Sequence, residues 1–134
     1  MNTDRRQTRG GFTLIELLIV VVIIGILASV AVARFTKVKQ RSYLATVQTD
    51  LRQLAVAQER YHMANFTYTA DIEALEFEES SGVTVTVNSA TNTGWAASAT
   101  HVADGDILCG VYVGTAAAAD GAPATNPEVV ECTF

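Results

Sequence analysis

The chain of 134 residues is long enough for one small domain with an attached segment, so separate cofactor and substrate domains are not expected. Hydrophobic residues make up 49% of it and charged residues 17%, which argues against intrinsic disorder. Nine basic against 14 acidic residues give a formal net charge of −5, and this acidic balance disfavours a nucleic-acid-binding surface.

The N-terminus is a short basic leader followed by an apolar run. Three arginines lie within the first eleven residues, which end in Gly10 and Gly11, and residues 17–33 then carry no charge. A secretory signal places its apolar region before the cleavage site, so ordinary signal-peptidase removal fits this order poorly. Residues 12–33 are enough to cross about 30 Å of hydrocarbon as a helix. We therefore expect a membrane-spanning helix.

The charges at the two ends of this helix do not fix its orientation. The leader favours a cytoplasmic N-terminus under the positive-inside rule. Four basic residues also follow the apolar run, at positions 34, 37, 39 and 41. Charge counting alone leaves the orientation open.

Glu16 is the one ionisable side chain between residues 12 and 33. A carboxylate at bilayer depth costs about 3 kcal/mol even on lenient insertion scales, so it is by default a functional candidate. The alternative is a glutamate near a helix start that reaches the headgroups and interacts favourably with the helix dipole. Taken alone, this residue leaves both interpretations open.

The glycine pair, Glu16 and the apolar run are more specific together than any one of them alone. The pair Gly10-Gly11, the sequence FTLIE at residues 12–16 and the charge-free run closely resemble the class III signal of the type IV pilin superfamily, which comprises type IV pilins and type II secretion pseudopilins. The resemblance implies that residues 1–11 are a leader that a prepilin peptidase cleaves between Gly11 and Phe12. It also implies that the new N-terminal residue Phe12 is N-methylated and that the leader faces the cytoplasm.

In this family Glu16 would attract the Phe12 amino group of a neighbouring subunit during assembly. Two groups that are each costly in lipid would then offset one another and set the register of adjacent helices. An intramolecular pair is the alternative, since Phe12 and Glu16 are four residues apart on one helix face.

The helical pattern continues beyond the membrane. One apolar stripe recurs at three- and four-residue spacing, at Leu44, Val47, Leu51, Leu54 and Tyr61. The opposite face is expected to carry polar side chains, at Gln48, Asp50, Arg52, Gln53, Glu59 and Arg60. The sequence predicts one helix from residue 12 to about residue 64, with a membrane or filament-core half at residues 12–34 and an amphipathic half at residues 35–64.

Two positions in the apolar half bear on helix shape. Gly25 lowers helix stability by about 1 kcal/mol relative to alanine. Its plain interpretation is close packing against another helix, whereas the resemblance implies a point where the helix loosens inside a filament. Ala33 stands where many type IVa pilins carry a bending proline, so we expect a straighter helix here.

Residues 65–134 are expected to form a small antiparallel sheet domain, a three- or four-stranded meander. Strands are predicted at residues 83–87, 94–101 and 107–113 with a short last one at 129–130, and turns at 88–94 and 104–106. Such a sheet needs a cover, and the apolar stripe of the helix supplies it. The predicted fold class is α+β: a long N-terminal helix packed on a small antiparallel sheet, the pilin fold that the resemblance implies.

Cys109 and Cys132 bracket a segment whose residues 114–127 are expected to be an exposed loop. In an oxidising compartment a disulfide between them would stabilise the domain by about 3 kcal/mol on the chain-entropy model. Two unrelated buried thiols are the alternative, and further ligands for a cysteine metal site are not evident. The resemblance implies a disulfide-bracketed loop at residues 109–132, as in type IV pilins.

No catalytic motif is visible. His62 and His101 are the only histidines, and no glycine-rich phosphate loop follows a predicted strand. Asp104 and Asp106 are weak candidates for a calcium site of the kind some major pseudopilins have, and a plain turn is the simpler interpretation. We expect no enzymatic activity, cofactor, resident metal or direct binding of nucleic acid.

The resemblance implies a major pilin. Such a chain would be held in the inner membrane by its helix, processed by the peptidase, and polymerised with other copies by the pilus assembly machinery. The product would be an extracellular filament for adhesion, motility or DNA uptake. The alternatives are a type II secretion pseudopilin or a minor pilin and, from a different class, a single-pass membrane-anchored binding domain that keeps its leader.

Overall fold

The computed structural model describes residues 11–119 and 122–133 of the chain. Their elements are a long helix, a short 3₁₀ helix and four strands. The chain divides into two compact units, Met1–Lys37 and Val38–Phe134. Most of the predicted leader, residues 1–10, lies outside the described residues.

Helix α1 runs from Leu14–Asn65 without interruption, which confirms the prediction of one long helix. The sequence of α1 contains no proline and a single glycine, Gly25. Hydroxyl groups in the apolar half are satisfied within the helix itself, because Ser29 Oγ donates to Ile26 O at 2.7 Å and Thr36 Oγ1 donates to Val32 O at 3.2 Å. This half therefore presents almost no unpaired polar group to an apolar surrounding.

The second unit is built on the predicted apolar stripe. Val47, Leu51 and Leu54 of α1 are fully buried. They pack in one core cluster with residues of the sheet, among them Trp95 and Ile107. The second half of the helix and the sheet stabilise each other, because the helix buries its apolar stripe and covers one face of the sheet.

The prediction that one face of α1 is polar and solvated was wrong at one position. Asp50 is fully buried, not solvated, and its carboxylate accepts hydrogen bonds from both Ser80 N and Ser80 Oγ, each at 2.7 Å. Gln58, which the periodicity argument did not single out, is also fully buried. Both side chains are buried because they bind the segment that connects α1 to the sheet, so their polar groups are satisfied there.

The connecting segment, residues 66–82, is tied to α1 by several side-chain hydrogen bonds, one of them from the Tyr68 hydroxyl to Glu59 Oε1 at 2.9 Å. Besides the Asp50 contact, Gln58 bonds both backbone groups of Thr69, and Arg60 Nη2 donates to Leu75 O at 3.1 Å. Leu75 is buried at the end of the short 3₁₀ helix Glu73–Leu75. The predicted loop with a short helical turn is present, and it is fixed in place by helix side chains.

The sheet is antiparallel and meandering, in the order β1-β2-β3-β4. The strands are β1 Val83–Ala90, β2 Gly94–His101, β3 Asp104–Gly114 and β4 Glu131–Thr133. Strand β2 has the predicted bounds, whereas β1 continues to Ala90 into the predicted turn at residues 88–94 and β3 begins earlier than predicted, at Asp104. The last strand lies just after the predicted Val129 and Val130. Strand β1 is one edge of the sheet, and its register shifts between Val87 and Ser89.

The predicted turn at residues 104–106 was also wrong. Asp104 pairs with His101 across β2 and β3, so the turn consists of Val102 and Ala103. The ring of His101 supports this shorter turn, because its Nδ1 accepts a hydrogen bond from Ala103 N at 3.1 Å. A side chain at the strand end therefore stabilises the turn that Asp104 and Gly105 were expected to make.

The segment after β3, which was predicted to be an exposed loop, is exposed only in part. Ala124 is buried, and Ala122 lies so close to the sheet that a Cβ on Gly110 would stand 2.7 Å from the Ala122 Cβ. Ala96, on the central strand, is fully buried. Small side chains on both sides let this loop pack against the sheet. Residues 120 and 121 lie outside the described part.

Candidate assembly site

The start of α1 is organised by a reciprocal pair of side chains. Thr13 N and Thr13 Oγ1 both donate to Glu16 Oε2 at 2.8 Å, and Glu16 N donates back to Thr13 Oγ1 at 3.3 Å. This arrangement is a capping box, which satisfies backbone donors that a helix N-terminus leaves open. The sequence analysis missed Thr13, although the spacing of threonine and glutamate three residues apart is the known signal for this motif.

The predicted cleavage site lies immediately outside the helix. Gly11, Phe12 and Thr13 are exposed and have no helical structure, and α1 begins at Leu14. The peptide bond between Gly11 and Phe12 is thus not held in a helix. Glu16 lies in the first turn of α1, and its Oε1 accepts no hydrogen bond from the residues that the structure describes.

The apolar half of α1 has its large side chains on the surface all round. Leu14 is 88% exposed, and most of the large hydrophobic residues from Phe12 to Val38 are at least half exposed. A continuous apolar surface of this extent needs lipid or other apolar chains around it. Helix α1 is the one described helix that is long and apolar enough to cross a membrane.

Gly25 lies in the middle of this surface. Apart from its chain neighbours and the adjacent backbone of α1, a Cβ built at Gly25 would meet no described atom within 4 Å. Close packing at Gly25, one of the two interpretations above, would therefore require another chain. The side chain of Ala33 lies outside the described residues, and the expectation of a straighter helix at that point stays a prediction.

Cys109 and Cys132 form a disulfide, as predicted, and the alternative of two unrelated thiols is wrong. The two cysteines are direct neighbours across β3 and β4. Gln48 on α1 approaches the bridge, with its Nε2 3.6 Å from Cys132 Sγ. The disulfide thus ties the last strand to the sheet on the side where the helix lies, and it closes the segment that packs on the opposite face.

A polar network shapes the end of this segment. Glu131 on β4 accepts hydrogen bonds from Thr125 N, from Thr125 Oγ1 at 2.7 Å and from Asn126 Nδ2 at 2.6 Å. The bonds from Thr125 are the main reason that the pKa of Glu131 is lowered, because they favour the ionised form. Tyr112 on β3 adds two contacts, donating from its hydroxyl to Thr125 O and accepting at its carbonyl from Glu128 N. No pattern in the sequence marks this network.

The titratable side chains considered for catalysis or metal binding have structural surroundings. Asp104 Oδ1 accepts from Asp106 N at 3.3 Å, a local contact at the start of β3. The rings of His62 and His101 stack on Tyr68 and Tyr43, with centroids 4.3 Å and 4.2 Å apart. In the part of the chain that the structure describes, no three His, Cys, Asp or Glu side chains are grouped to hold a metal ion.

Comparisons with known proteins agree with this geometry. The prokaryotic N-terminal methylation motif matches residues 6–32. Type II secretion system core protein G of Pseudomonas aeruginosa is 35% identical over 72 residues, which cover 54% of this chain and 51% of that protein. Type IV major pilin protein PilA of Myxococcus xanthus is 43% identical over 70 residues, 52% of this chain and 32% of the relative. Type IV wide pilus major component PilA4 of Thermus thermophilus is 42% identical over 65 residues, 48% of this chain and 50% of the relative.

The motif and the relatives point to the same group of proteins. The N-terminal part of the chain is similar to type IV pilins and type II secretion pseudopilins, which supports that superfamily for this chain. The aligned part of the chain spans about half the length of the curated relatives it matches, or less. The names of these relatives describe pilus and secretion-system components and no enzyme.

Proposed function

We propose that the chain is the major pilin of a type IV pilus. Its precursor is held in the inner membrane by the apolar half of α1. A prepilin peptidase removes residues 1–11 by cutting between Gly11 and Phe12, and Phe12 is N-methylated. The processed chain is then assembled with other copies into a surface filament, with the apolar helices inside and the sheet domains outside.

The observation that carries this proposal is the exposed apolar half of α1 with a single carboxylate in its first turn. Large side chains from Phe12 to Val32 are exposed and do not belong to the core cluster, in contrast to the buried stripe of the second unit. Lipid covers this surface in the precursor, and helices of other copies cover it in the filament. One surface thus supports both the membrane-held precursor and the assembled subunit.

In the proposed mechanism Glu16 sets the register between copies. Cleavage creates a positive amino group on Phe12, which is costly in an apolar filament core unless an opposite charge lies beside it. The capping hydrogen bonds from Thr13 fall on Glu16 Oε2. Glu16 Oε1 is therefore the oxygen that would receive the Phe12 amino group of a neighbour.

The sheet domain supports a pilus subunit over a pseudopilin. The bridge between Cys109 and Cys132 encloses a segment of more than twenty residues on the domain surface, as the resemblance to type IV pilins implies. A type II secretion pseudopilin is the second candidate, and the similarity to the core protein G of Pseudomonas aeruginosa favours it.

The first experiment separates these candidates. Filaments are sheared from the surface of the native host, and the N-terminal peptide of the chain is identified by mass spectrometry. We expect abundant chain beginning at methylated Phe12 in the sheared fraction. Processed chain confined to the cell envelope would instead support a pseudopilin or minor pilin, and an intact leader would support a membrane-anchored binding domain.

A matched pair of variants tests the role of Glu16. Glu16→Ala removes both the charge and the helix cap, whereas Glu16→Gln keeps an acceptor for the cap and removes only the charge. We expect both variants to be cleaved and both to assemble poorly, since neither offers a negative charge to Phe12. Normal filaments from Glu16→Gln would show that the register does not depend on the charge.

A further inference from the structure

The free edge of the sheet has the chemistry of a strand-pairing surface. In β1, residues 83–87 read VTVTV, five consecutive β-branched residues without charge, proline or glycine. Val83 and Val85 are buried against the core, and Thr84 and Thr86 are exposed. Such a run at the edge of a sheet offers backbone donors and acceptors to any other strand.

Two acceptors from the connecting segment already occupy donors on this edge. All five residues of the run lie opposite residues of β2, and alternate residues of an antiparallel strand turn their N–H groups toward the partner strand and away from it. The N–H groups of Val83 and Val85 are turned to the free side, because both donate to the connecting segment. Val83 N donates to Ser80 O at 3.0 Å, and Val85 N donates to Glu79 Oε1 at 2.6 Å. Glu79 is an exposed residue, so its side chain gives up conformational freedom to accept this one hydrogen bond.

The backbone geometry at the C-terminal end of β1 prevents a further strand from pairing there. The register shift between Val87 and Ser89 leaves an extra residue in β1, and a bulge of this kind ends regular pairing with a further strand. The part of β1 that is straight enough to accept a strand is thus the VTVTV run, and Val85 lies at its centre.

We propose that Glu79 is a built-in blocker of strand addition, which keeps β1 from pairing with β1 of a second copy. An incoming strand needs the Val85 N–H as a donor, and the carboxylate of Glu79 already fills it. The occupant that this block excludes is a second copy of the same strand, because two identical uncharged runs can pair antiparallel about a twofold axis. This inference does not depend on the kind of filament, because it concerns the domain before assembly.

Copies of this chain meet at high local concentration in the membrane and along any filament. Pairing through the sheet edges would hold two domains in an arrangement set by β1 and not by the helices. The block leaves the apolar half of α1 as the surface through which copies associate.

The test uses the full chain in detergent micelles and three variants. Glu79→Ala removes the acceptor, and Glu79→Gln keeps an oxygen that can accept from Val85 N while removing the charge. Glu78→Ala is the matched control, since it removes the same charge from the neighbouring exposed position. Amide exchange of Val85 is measured by NMR, and association is measured in a mixture of ¹⁵N-labelled and ¹³C-labelled chains from contacts between the β1 strands of two copies.

We expect Glu79→Ala to raise the exchange rate of the Val85 amide about tenfold, the equivalent of losing one hydrogen bond. The same variant should show β1-to-β1 contacts that grow with protein concentration. Glu79→Gln and Glu78→Ala should behave like the unaltered chain in both measurements, which separates the hydrogen bond from the charge.

Unchanged Val85 exchange in Glu79→Ala would overturn the proposal, and so would faster exchange without contacts between copies. Pairing in Glu78→Ala would also overturn it, because loss of charge alone would then suffice. If Glu79→Ala does not fold, Glu79→Gln decides: retained protection of Val85 supports the proposal, and loss of protection refutes it. Neither measurement depends on filament formation in a cell. The proposed function could therefore fail while the inference about Glu79 holds, and the reverse.

Discussion

Gln58 occupies a fully buried position on α1 and binds a single residue of the connecting segment with both ends of its amide. Its Nε2 donates to Thr69 O at 2.6 Å, and its Oε1 accepts from Thr69 N at 3.1 Å. Gln58→Glu keeps the shape and the acceptor but replaces the donor with a second carboxylate oxygen. That oxygen would face the carbonyl of Thr69 with no proton between them.

The expected cost at neutral pH follows from these two contacts. Loss of the neutral hydrogen bond costs about 1 kcal/mol. A buried charge without a partner brings the total to about 3 to 5 kcal/mol, a large part of the stability of a small domain. Protonation of the introduced carboxyl restores a donor to Thr69 O, so its pKa should lie above about 4.3, the value for an exposed glutamate.

The sign of the pH dependence is fixed by that raised pKa. The folded variant binds a proton more tightly than the unfolded chain, so its stability rises as the pH falls through the raised pKa. A penalty of about 3 kcal/mol corresponds to a pKa about two pH units higher than that of an exposed glutamate. Most of the lost stability should therefore return between about pH 7 and about pH 5.

Trp95 provides the assay. It is the one tryptophan of the chain and is fully buried in the core, so its fluorescence reports unfolding of the sheet domain. Urea unfolding of the full chain in mild detergent gives the free energy of unfolding at each pH. Gln53→Glu is the matched control, because Gln53 is exposed on the same helix and should change stability by no more than about 0.5 kcal/mol. A Gln58→Glu variant as stable as the unaltered chain at about pH 7 would refute the reasoning, as would a deficit that persists in acid.

Two further predictions concern the loop and the helix. The pKa of Glu131 is depressed by the bonds from Thr125, so its contribution is present above the pKa of an unfolded glutamate and is lost as the pH falls through the folded value. The protection factor of the Thr125 amide, the factor by which its exchange is slower than in an unfolded chain at the same pH, should therefore fall in acid. Glu131→Gln should remove this dependence, whereas the exposed Glu128→Gln should not, and equal acid dependence in both variants would contradict the prediction. Gly25→Ala should leave the helicity of the micelle-bound chain unchanged or slightly higher, because the new Cβ meets open space, and should lower filament yield. An unchanged filament yield would show that Gly25 has no role between chains.

The features that depend on local pattern were predictable from the sequence. The apolar run and the stripe at Val47, Leu51 and Leu54 have the period of a helix, and the alternation in residues 83–87 has the period of a strand. The disulfide followed from two cysteines in a chain whose second half was expected to lie in an oxidising compartment. These signals need no knowledge of which elements meet.

Features that depend on a contact between residues far apart in sequence could not be predicted from local pattern. Asp50 is polar and falls on the expected solvent face, and only the position of Ser80 explains its burial. The loop after β3 is small and polar, and only the glycine at position 110 on a neighbouring strand lets it pack closely. Composition describes such residues individually, whereas their burial depends on contacts between elements far apart in sequence.

Thr13 and Glu16 connect the local signal with the proposed function. A helix that begins at the membrane surface leaves backbone donors unpaired, and Glu16 Oε2 satisfies the one on Thr13. A carboxylate has two oxygens with several acceptor positions, so occupation of Oε2 leaves Oε1 able to accept from a charged amino group. The cap also fixes the direction of the side chain before a neighbour arrives, which lowers the ordering cost of a contact between helices. One carboxylate can therefore stabilise the start of its own helix and set the register of the next, and for this reason Glu16→Gln, which retains the cap alone, is the decisive variant.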